Sequence, residues 1–169
     1  MRILEIGAGY GRLAYIFLDQ LVNASYCIID IPPALFIAQK YLTEVFPKEK
    51  IFHFRSFKSF NKVKKEFELA RIRFLSADQI ELLPDNYFDL VINISSLHEM
   101  TREQIKNYIS QIDRLCNGYF YTKQWRKSKI SDNKYISEKD YPRFANWRTI
   151  FHRQHPIQKM FFEALYRIS

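Results

Sequence analysis

A glycine-rich turn near the start of the sequence has the composition of a ligand-binding loop. Three of the four glycines of the chain fall within five residues, in Gly7-Ala8-Gly9-Tyr10-Gly11. Glycine adopts positive φ angles and allows close backbone approach at little cost. A turn that leads into a helix also presents backbone amides to a polar ligand. We therefore interpret this turn as a loop that holds a ligand rather than as a plain strand–helix connection.

An acid follows the second apolar segment of the chain. Asp30 ends the segment SYCIID and stands before Ile31 and two prolines. A carboxylate at this point of an α/β protein can accept both hydroxyls of a ribose, and the alternative is a turn-forming aspartate. A dinucleotide loop needs its third glycine at position 12, which is Arg12. A nucleoside ligand is therefore favoured, and an NAD-dependent oxidoreductase is disfavoured.

A histidine and a glutamate follow the apolar segment FDLVINI and could move a proton. His98 has a side chain that titrates near neutral pH, so it is the preferred general base for a hydroxyl group. Glu99 could orient His98, bind a hydroxyl or act as the base itself. The alternatives are a helix-entry histidine that bonds the backbone and a capping or solvated acid.

The elements that must position these residues alternate between strands and helices. The predicted strands are Arg2–Ile6, Ser25–Asp30, Ile72–Ser76, Phe88–Ile94 and Tyr119–Lys123. The predicted helices are residues 12–22, 33–46, 61–70 and 101–115. Thr101 and Gln104 form a capping-box pattern. This alternation predicts an α/β sandwich with a mostly parallel sheet, whose ligands lie at the carboxyl ends of the strands.

Other segments carry weaker signals. Asn117-Gly118 should end the last helix, and the polar residues 126–142 read as a loop. Residues 51–60 are ambiguous between strand and loop. Trp147–Arg153 and Gln158–Arg167 are expected to supply one or two final strands.

Four segments in order resemble the motifs of the class I S-adenosylmethionine-dependent methyltransferases. They are LEIGAGYGRLA, Asp30, FLSADQIELLPDNYFDLVI and the run from Asn93 to His98. The resemblance implies a Rossmann-like sandwich with helices on both faces and an antiparallel last strand, and it implies S-adenosylmethionine as cofactor. It places Glu5 near the methionine end, Asp78 at the adenine and Asn93 below the reactive methyl. The implied cofactor-binding residues are Glu5, Gly7, Ala8, Gly9, Gly11, Asp30, Ile31, Ala77, Asp78 and Asn93.

A narrower resemblance is to sugar O-methyltransferases of bacterial surface-polysaccharide clusters. The segments DIPPAL, YLTEVFP, INISSLHEM, YFYTKQWRKS and FFEALYRI carry it. It implies transfer of a methyl group to a sugar hydroxyl of a small molecule or glycan, with His98 and Glu99 as catalytic residues. Lys123, Gln124 and Trp125 would line the acceptor pocket or pack at its rim. Because Met1 abuts the first strand, we expect a single domain over residues 1–169 that lacks the N-terminal helices of such enzymes.

Charge and composition leave two further alternatives. The formal net charge is +8, yet the first 47 residues carry three basic side chains against four acidic ones. The basic excess after residue 47 would suit an RNA methyltransferase, although mixed charges of this kind are more often a solvated face. A non-catalytic cofactor-binding remnant is the other alternative. No window is apolar enough for a membrane span, and two cysteines favour a reducing cytoplasm.

A metal site is not expected from the sequence. A divalent cation needs several convergent carboxylates, and Asp78, Asp89 and Glu99 show no spacing that marks such a site. The pair His152 and His155 could bind zinc, but no cysteine or second acid stands nearby.

Overall fold

An eight-stranded sheet forms the centre of the protein, seen here in a computed structural model that describes residues 1–168. Its strands are β1 (Arg2–Ile6), β2 (Ser25–Asp30), β3 (Ile51–Phe52), β4 (Ile72–Ser76), β5 (Phe88–Ile94), β6 (Cys116–Trp125), β9 (Arg148–Gln154) and β10 (Phe161–Arg167), with a separate hairpin of β7 (Lys127–Lys129) and β8 (Tyr135–Ser137). The strand order is β3-β4-β2-β1-β5-β6-β10-β9. Strands β1 to β6 are parallel, and β10 is antiparallel to both of its neighbours. The predicted mostly parallel sheet with an antiparallel last strand is confirmed.

Four helices cover the two faces of this sheet. They are α1 (Arg12–Gln20), α2 (Pro32–Val45), α3 (Lys64–Leu69) and α4 (Arg102–Leu115). Successive residues of β1 separate the two faces, because Ile3 packs in the cluster with α1 and α2 while Leu4 packs in the cluster with α3 and α4. Both faces of the central strands are therefore buried, as their continuous apolar sequences require.

The start of α4 follows the sequence closely. The Thr101 hydroxyl accepts from the Gln104 N–H at 3.2 Å, and the Gln104 side chain accepts from the Thr101 N–H at 2.9 Å. This capping box satisfies two backbone donors that the first turn of a helix leaves free, so the predicted helix start is confirmed.

The predicted boundaries after α4 are wrong in two places. Asn117-Gly118 do not end the helix, which stops at Leu115, and both residues lie inside β6. A Cβ atom on Gly118 would lie 2.1 Å from the Asp89 carbonyl oxygen. Glycine is therefore required here by the close approach of β5, not by the end of a helix. Residues 126–142 are not a loop throughout, because β7 and β8 form an antiparallel hairpin whose Ile130 and Ile136 are buried.

Smaller differences occur elsewhere. The first helix ends at Gln20 rather than at residue 22, and the ambiguous residues 51–60 contain only the two-residue strand β3. The helix predicted over 61–70 is a 3-10 turn at Phe60–Lys62 followed by α3. Within residues 1–168, none of the helices has the length and apolar character that a membrane span would need.

Candidate functional site

The glycine loop turns sharply at the carboxyl end of β1. The Gly7 N–H donates to the Ile29 carbonyl oxygen at 2.8 Å, which ties the loop to β2. Gly7 has a φ of 75°, and a Cβ atom there would lie 2.2 Å from the Ser96 hydroxyl oxygen. The loop therefore needs glycine at this position for both its conformation and its contact with the segment after β5. Gly9, with a φ of 58°, faces open space instead.

Asp30 joins the glycine loop to the end of β2. One carboxylate oxygen accepts the Gly9 N–H at 2.8 Å, and the other accepts the Ile31 N–H at 2.7 Å. An ionised carboxylate offers about four acceptor sites. Two sites thus remain for a ligand, and the two backbone bonds hold the carboxylate in a fixed orientation beside the loop.

A cavity of about 270 Å³ opens in front of these residues, between the carboxyl ends of β1 and β2 and the start of α4. Five residues predicted for the site lie in its wall: Gly7, Asp30, Ile31, Ala77 and Glu99. The cavity is where an open parallel sheet binds its ligands. The structure therefore brings the glycine loop, the acid after β2 and one member of the His–Glu pair to a single site.

The opposite wall of the cavity comes from α4 and was missed in the sequence. Gln104 and Tyr108 of α4 line it, together with Met100 just before the helix. Burial raises the pKa of the Tyr108 phenol, and the negative charges of Asp30 and Asp78 raise it further. The four-residue spacing of Tyr108 from Gln104 was the available signal, because residues four apart share one face of a helix.

Asp78 itself is exposed just after β4. Its carboxylate accepts a hydrogen bond of 2.5 Å from the Ser76 hydroxyl, and Asp78 is not among the residues that line the cavity, although its neighbour Ala77 is. Ala8 packs with the cluster on the α1 and α2 face, and Gly11 begins α1 and donates its N–H to the Ala8 carbonyl oxygen at 3.1 Å. Ala8 and Gly11 therefore support the loop on the side of α1 and α2 and do not line the cavity.

Glu5 is buried beneath the loop and is not among the residues that line the cavity. It is 3% exposed, and the Tyr26 hydroxyl donates to its carboxylate at 2.8 Å. Burial raises the pKa of Glu5 to about 7, the Tyr26 hydrogen bond opposes this rise, and the charge of Asp30 adds to it. The carboxyl group of Glu5 therefore titrates near neutral pH inside the protein.

Asn93 anchors the segment after β5 to the glycine loop. Its side chain is fully buried, and its amide NH₂ donates to the Ile6 carbonyl oxygen at 2.9 Å and to the Ser96 hydroxyl at 2.7 Å. The NH₂ group can only donate, so these contacts leave the amide oxygen of Asn93 on the opposite side. A main-chain carbonyl of β1 thus sets the orientation of a buried side chain in β5.

The side-chain orientation of Asn93 fixes that of Gln124, which in turn contacts His98. The Gln124 NH₂ donates to the Asn93 amide oxygen at 2.6 Å, so the Gln124 amide oxygen faces His98 Nδ1 at 3.4 Å. Because an amide oxygen only accepts, this contact requires a proton on Nδ1 and leaves the lone pair of the neutral ring on Nε2. His98 is half-buried and is not among the residues that line the cavity, whereas its exposed neighbour Glu99 is.

The remaining predicted residues serve packing and turns. Trp125 packs on Phe161 with 4.7 Å between ring centroids, and Lys123 bonds to Gln158. His155 Nδ1 accepts the Gln158 N–H at 3.0 Å, while His152 stacks on a phenylalanine of β10. In the part of the chain that the structure describes, no group of three His, Cys, Asp or Glu residues could hold a metal ion.

The sheet order and the glycine turn after β1 define the fold of the class I S-adenosylmethionine-dependent methyltransferases. No protein-family model matches the sequence, and no curated protein matches it. Solved structures resemble the chain at low sequence identity.

Three such structures illustrate the likeness. An S-adenosylmethionine-dependent methyltransferase from Aquifex aeolicus is 18% identical with a TM-score of 0.59 and coverage of 100% of this chain and 82% of its own. The 1,6-didemethyltoxoflavin-N1-methyltransferase of Burkholderia thailandensis, solved with its substrate and S-adenosylhomocysteine, is 18% identical with a TM-score of 0.67 and coverage of 99% and 71%. An O-methyltransferase family 2 protein from Planctomyces limnophilus, solved with apigenin, is 15% identical with a TM-score of 0.63. This chain is covered to 99% in that match but spans only 51% of the Planctomyces protein.

Proposed function

We propose that this protein is an S-adenosylmethionine-dependent methyltransferase that transfers a methyl group to a sugar hydroxyl. The observation that carries the proposal is the single cavity in which the glycine loop, Asp30 and Glu99 meet, at the ligand-binding edge of a methyltransferase fold. The O-methyl specificity draws on the resemblance of INISSLHEM and its companion segments to sugar O-methyltransferases.

The residues present fit this cofactor. Asp30 keeps two acceptor sites for the ribose hydroxyls, and the space in front of Gly9 admits a ligand against the loop backbone. Ile31 and Tyr108 offer apolar surface beside Asp78 for a purine ring. When bound, the cofactor supplies an activated methyl group on a sulfonium, so the protein need only orient the acceptor and remove its proton.

The proton of the acceptor hydroxyl would pass to His98. With Nδ1 held by Gln124, the free lone pair of Nε2 is the basic site of the ring. Glu99 would accept a hydrogen bond from the acceptor in the cavity wall, and its carboxylate favours the imidazolium that forms beside it. Each residue after β5 thus has a separate role in the proposed transfer.

Calorimetric titration with S-adenosylhomocysteine tests the proposed cofactor. We expect 1:1 binding of S-adenosylhomocysteine and no binding of NAD, because the site of a third dinucleotide glycine is Arg12. Absence of binding to a folded sample, or binding of NAD instead, would contradict the methyltransferase assignment. Transfer of labelled methyl from S-adenosylmethionine to nucleotide sugars and glycans then tests the acceptor class, and a product methylated on nitrogen would contradict it.

Asp30→Asn should weaken S-adenosylhomocysteine binding by about tenfold to a hundredfold, since hydrogen bonds to a charged group contribute ~1.5–3 kcal/mol. Asparagine keeps one acceptor oxygen for the loop, so the fold should persist. The matched control is Asp19→Asn, whose carboxylate is exposed on α1 and bonds only to the Gln20 side chain. Equal affinity in the two variants would remove Asp30 from the binding site.

A further inference from the structure

A second cavity lies on the other side of α4, between the sheet and the segment that joins β6 to β9. It has a volume of about 210 Å³ and shares no described residue with the cavity at the glycine loop. Six of the residues in its wall carry rings: Phe120, Tyr141, Trp147, His152, Phe162 and Tyr166. Aromatic rings present flat apolar faces and positive edges, so a cavity of this kind suits a planar guest.

The ring wall is well ordered by contacts among its own members. Trp147 meets Phe120 edge to face at 5.6 Å, and its indole N–H donates to Asp113 at 2.6 Å. His152 stacks on Phe162 at 5.1 Å. These contacts fix the orientation of Trp147 and His152 in the wall.

One hydroxyl group of this wall is available for a polar substituent. The Thr122 hydroxyl accepts from Gln124 at 3.1 Å and retains its own proton. A sugar would bring more hydroxyls than this group can pair, and burying the others would be unfavourable.

The mouth of the cavity is positively charged. Lys139 and Arg143 stand there, exposed, and neither forms an ion pair within residues 1–168. The one acid at the mouth, Glu138, is neutralised by Arg126 at 3.0 Å. An anionic group at the mouth would therefore meet unpaired cations.

We propose that this cavity binds a monocyclic aromatic carboxylic acid, with the ring among the aromatic side chains, the carboxylate at Arg143 and a ring substituent paired with the Thr122 hydroxyl. The site is separate from the proposed cofactor cavity. It nevertheless touches the segment behind His98, because Leu97 is in its wall and Thr122 bonds to Gln124.

Titration with 4-hydroxybenzoate tests the site without requiring methyl transfer. The chain has two tryptophans, so the variant Trp125→Phe leaves Trp147 in the cavity wall as the reporter of binding by fluorescence. We expect a saturable change with a dissociation constant of about 0.1 mM, which is within reach of a ligand of this size. A non-planar acid, cyclohexanecarboxylate, should bind at least about tenfold more weakly, because it cannot stack between the rings.

Two variants locate the ligand. Arg143→Gln should weaken 4-hydroxybenzoate binding by about tenfold, and Thr122→Val should weaken 4-hydroxybenzoate more than benzoate, which lacks the hydroxyl. Lys159→Gln, exposed and outside the cavity, is the control. Absence of saturation up to about 10 mM, insensitivity to both variants, or competition by S-adenosylhomocysteine would overturn the proposal. Calorimetry with S-adenosylhomocysteine alone reports separately on the proposed methyltransferase function.

Discussion

Replacing His98 with glutamine lowers methyl transfer to a hydroxyl acceptor by about 10²–10⁴-fold, the usual contribution of a general base, and leaves S-adenosylhomocysteine binding unchanged. Cofactor binding should be unchanged because His98 contacts Gln124 and does not line the cavity at the glycine loop. Single-turnover rates measure the transfer step, and calorimetry measures the cofactor. Glutamine keeps hydrogen-bonding capacity at this position but cannot take a proton near neutral pH.

Two further variants identify the role of each neighbour. Gln124→Met keeps the volume of the buried side chain but removes the acceptor for His98 Nδ1, so we expect an intermediate loss of rate, about tenfold. Nitrogen NMR of His98 should show the proton on Nδ1 in the unaltered protein and a mixture of tautomers in Gln124→Met. Glu99→Gln is the competing test. A full loss of rate in Glu99→Gln with normal turnover in His98→Gln would assign the base to Glu99.

Raising the pH from about 4.5 to above 7 should lower the free energy of unfolding by roughly 3 kcal/mol through Glu5 alone. Burial raises the pKa of Glu5 from 4.5 to about 7. In this window the folded protein keeps the Glu5 proton while the unfolded chain releases it. The contribution of Glu5 to the free energy of unfolding is therefore complete below pH 4.5 and is lost as the pH rises to about 7. Glu5→Gln should remove this dependence, because a neutral amide can still accept the Tyr26 hydrogen bond.

Urea unfolding of both proteins at several pH values measures this difference. The difference between the two slopes of unfolding free energy against pH isolates the contribution of Glu5 from those of the other titrating groups. Glu44→Gln, on the exposed side of α2, is the control and should retain the pH dependence of the unaltered protein. Parallel stability curves for the unaltered protein and Glu5→Gln would show that the buried carboxyl does not titrate as its burial requires.

The strands that carry the loop and the acid could be predicted closely from the sequence. β1, β2, β4 and β5 have the predicted bounds, because each is a short apolar run that ends at a glycine, an acid or a turn. The glycine loop and Asp30 meet because adjacent parallel strands end at one edge of the sheet. The sequence therefore predicted that both lie at the ligand-binding edge, and the structure adds the hydrogen bond from the Gly9 N–H to the Asp30 carboxylate.

The contacts that depend on side-chain direction could not be predicted in this way. Gln124 belonged to a segment expected at the acceptor rim, yet its place in a buried strand turns its amide toward Asn93. Glu5 lies next to the loop in sequence, but strand alternation points its carboxyl to the face of the sheet on which Ile3 packs with α1 and α2. The hairpin β7–β8 was missed because its strands have three residues each, too few for a periodic pattern.

The position of β10 has a consequence for how the chain acquires its structure. β10 is the last strand in sequence, yet it lies between β6 and β9 and is the hydrogen-bonding partner of both. A growing polypeptide therefore cannot close this side of the sheet until residues 161–167 have been made, whereas β1 to β6 can already pair in parallel. Until then β6 presents an open, apolar edge that invites association with other chains. Shortening the chain before Phe161 should accordingly yield aggregates rather than a smaller folded protein.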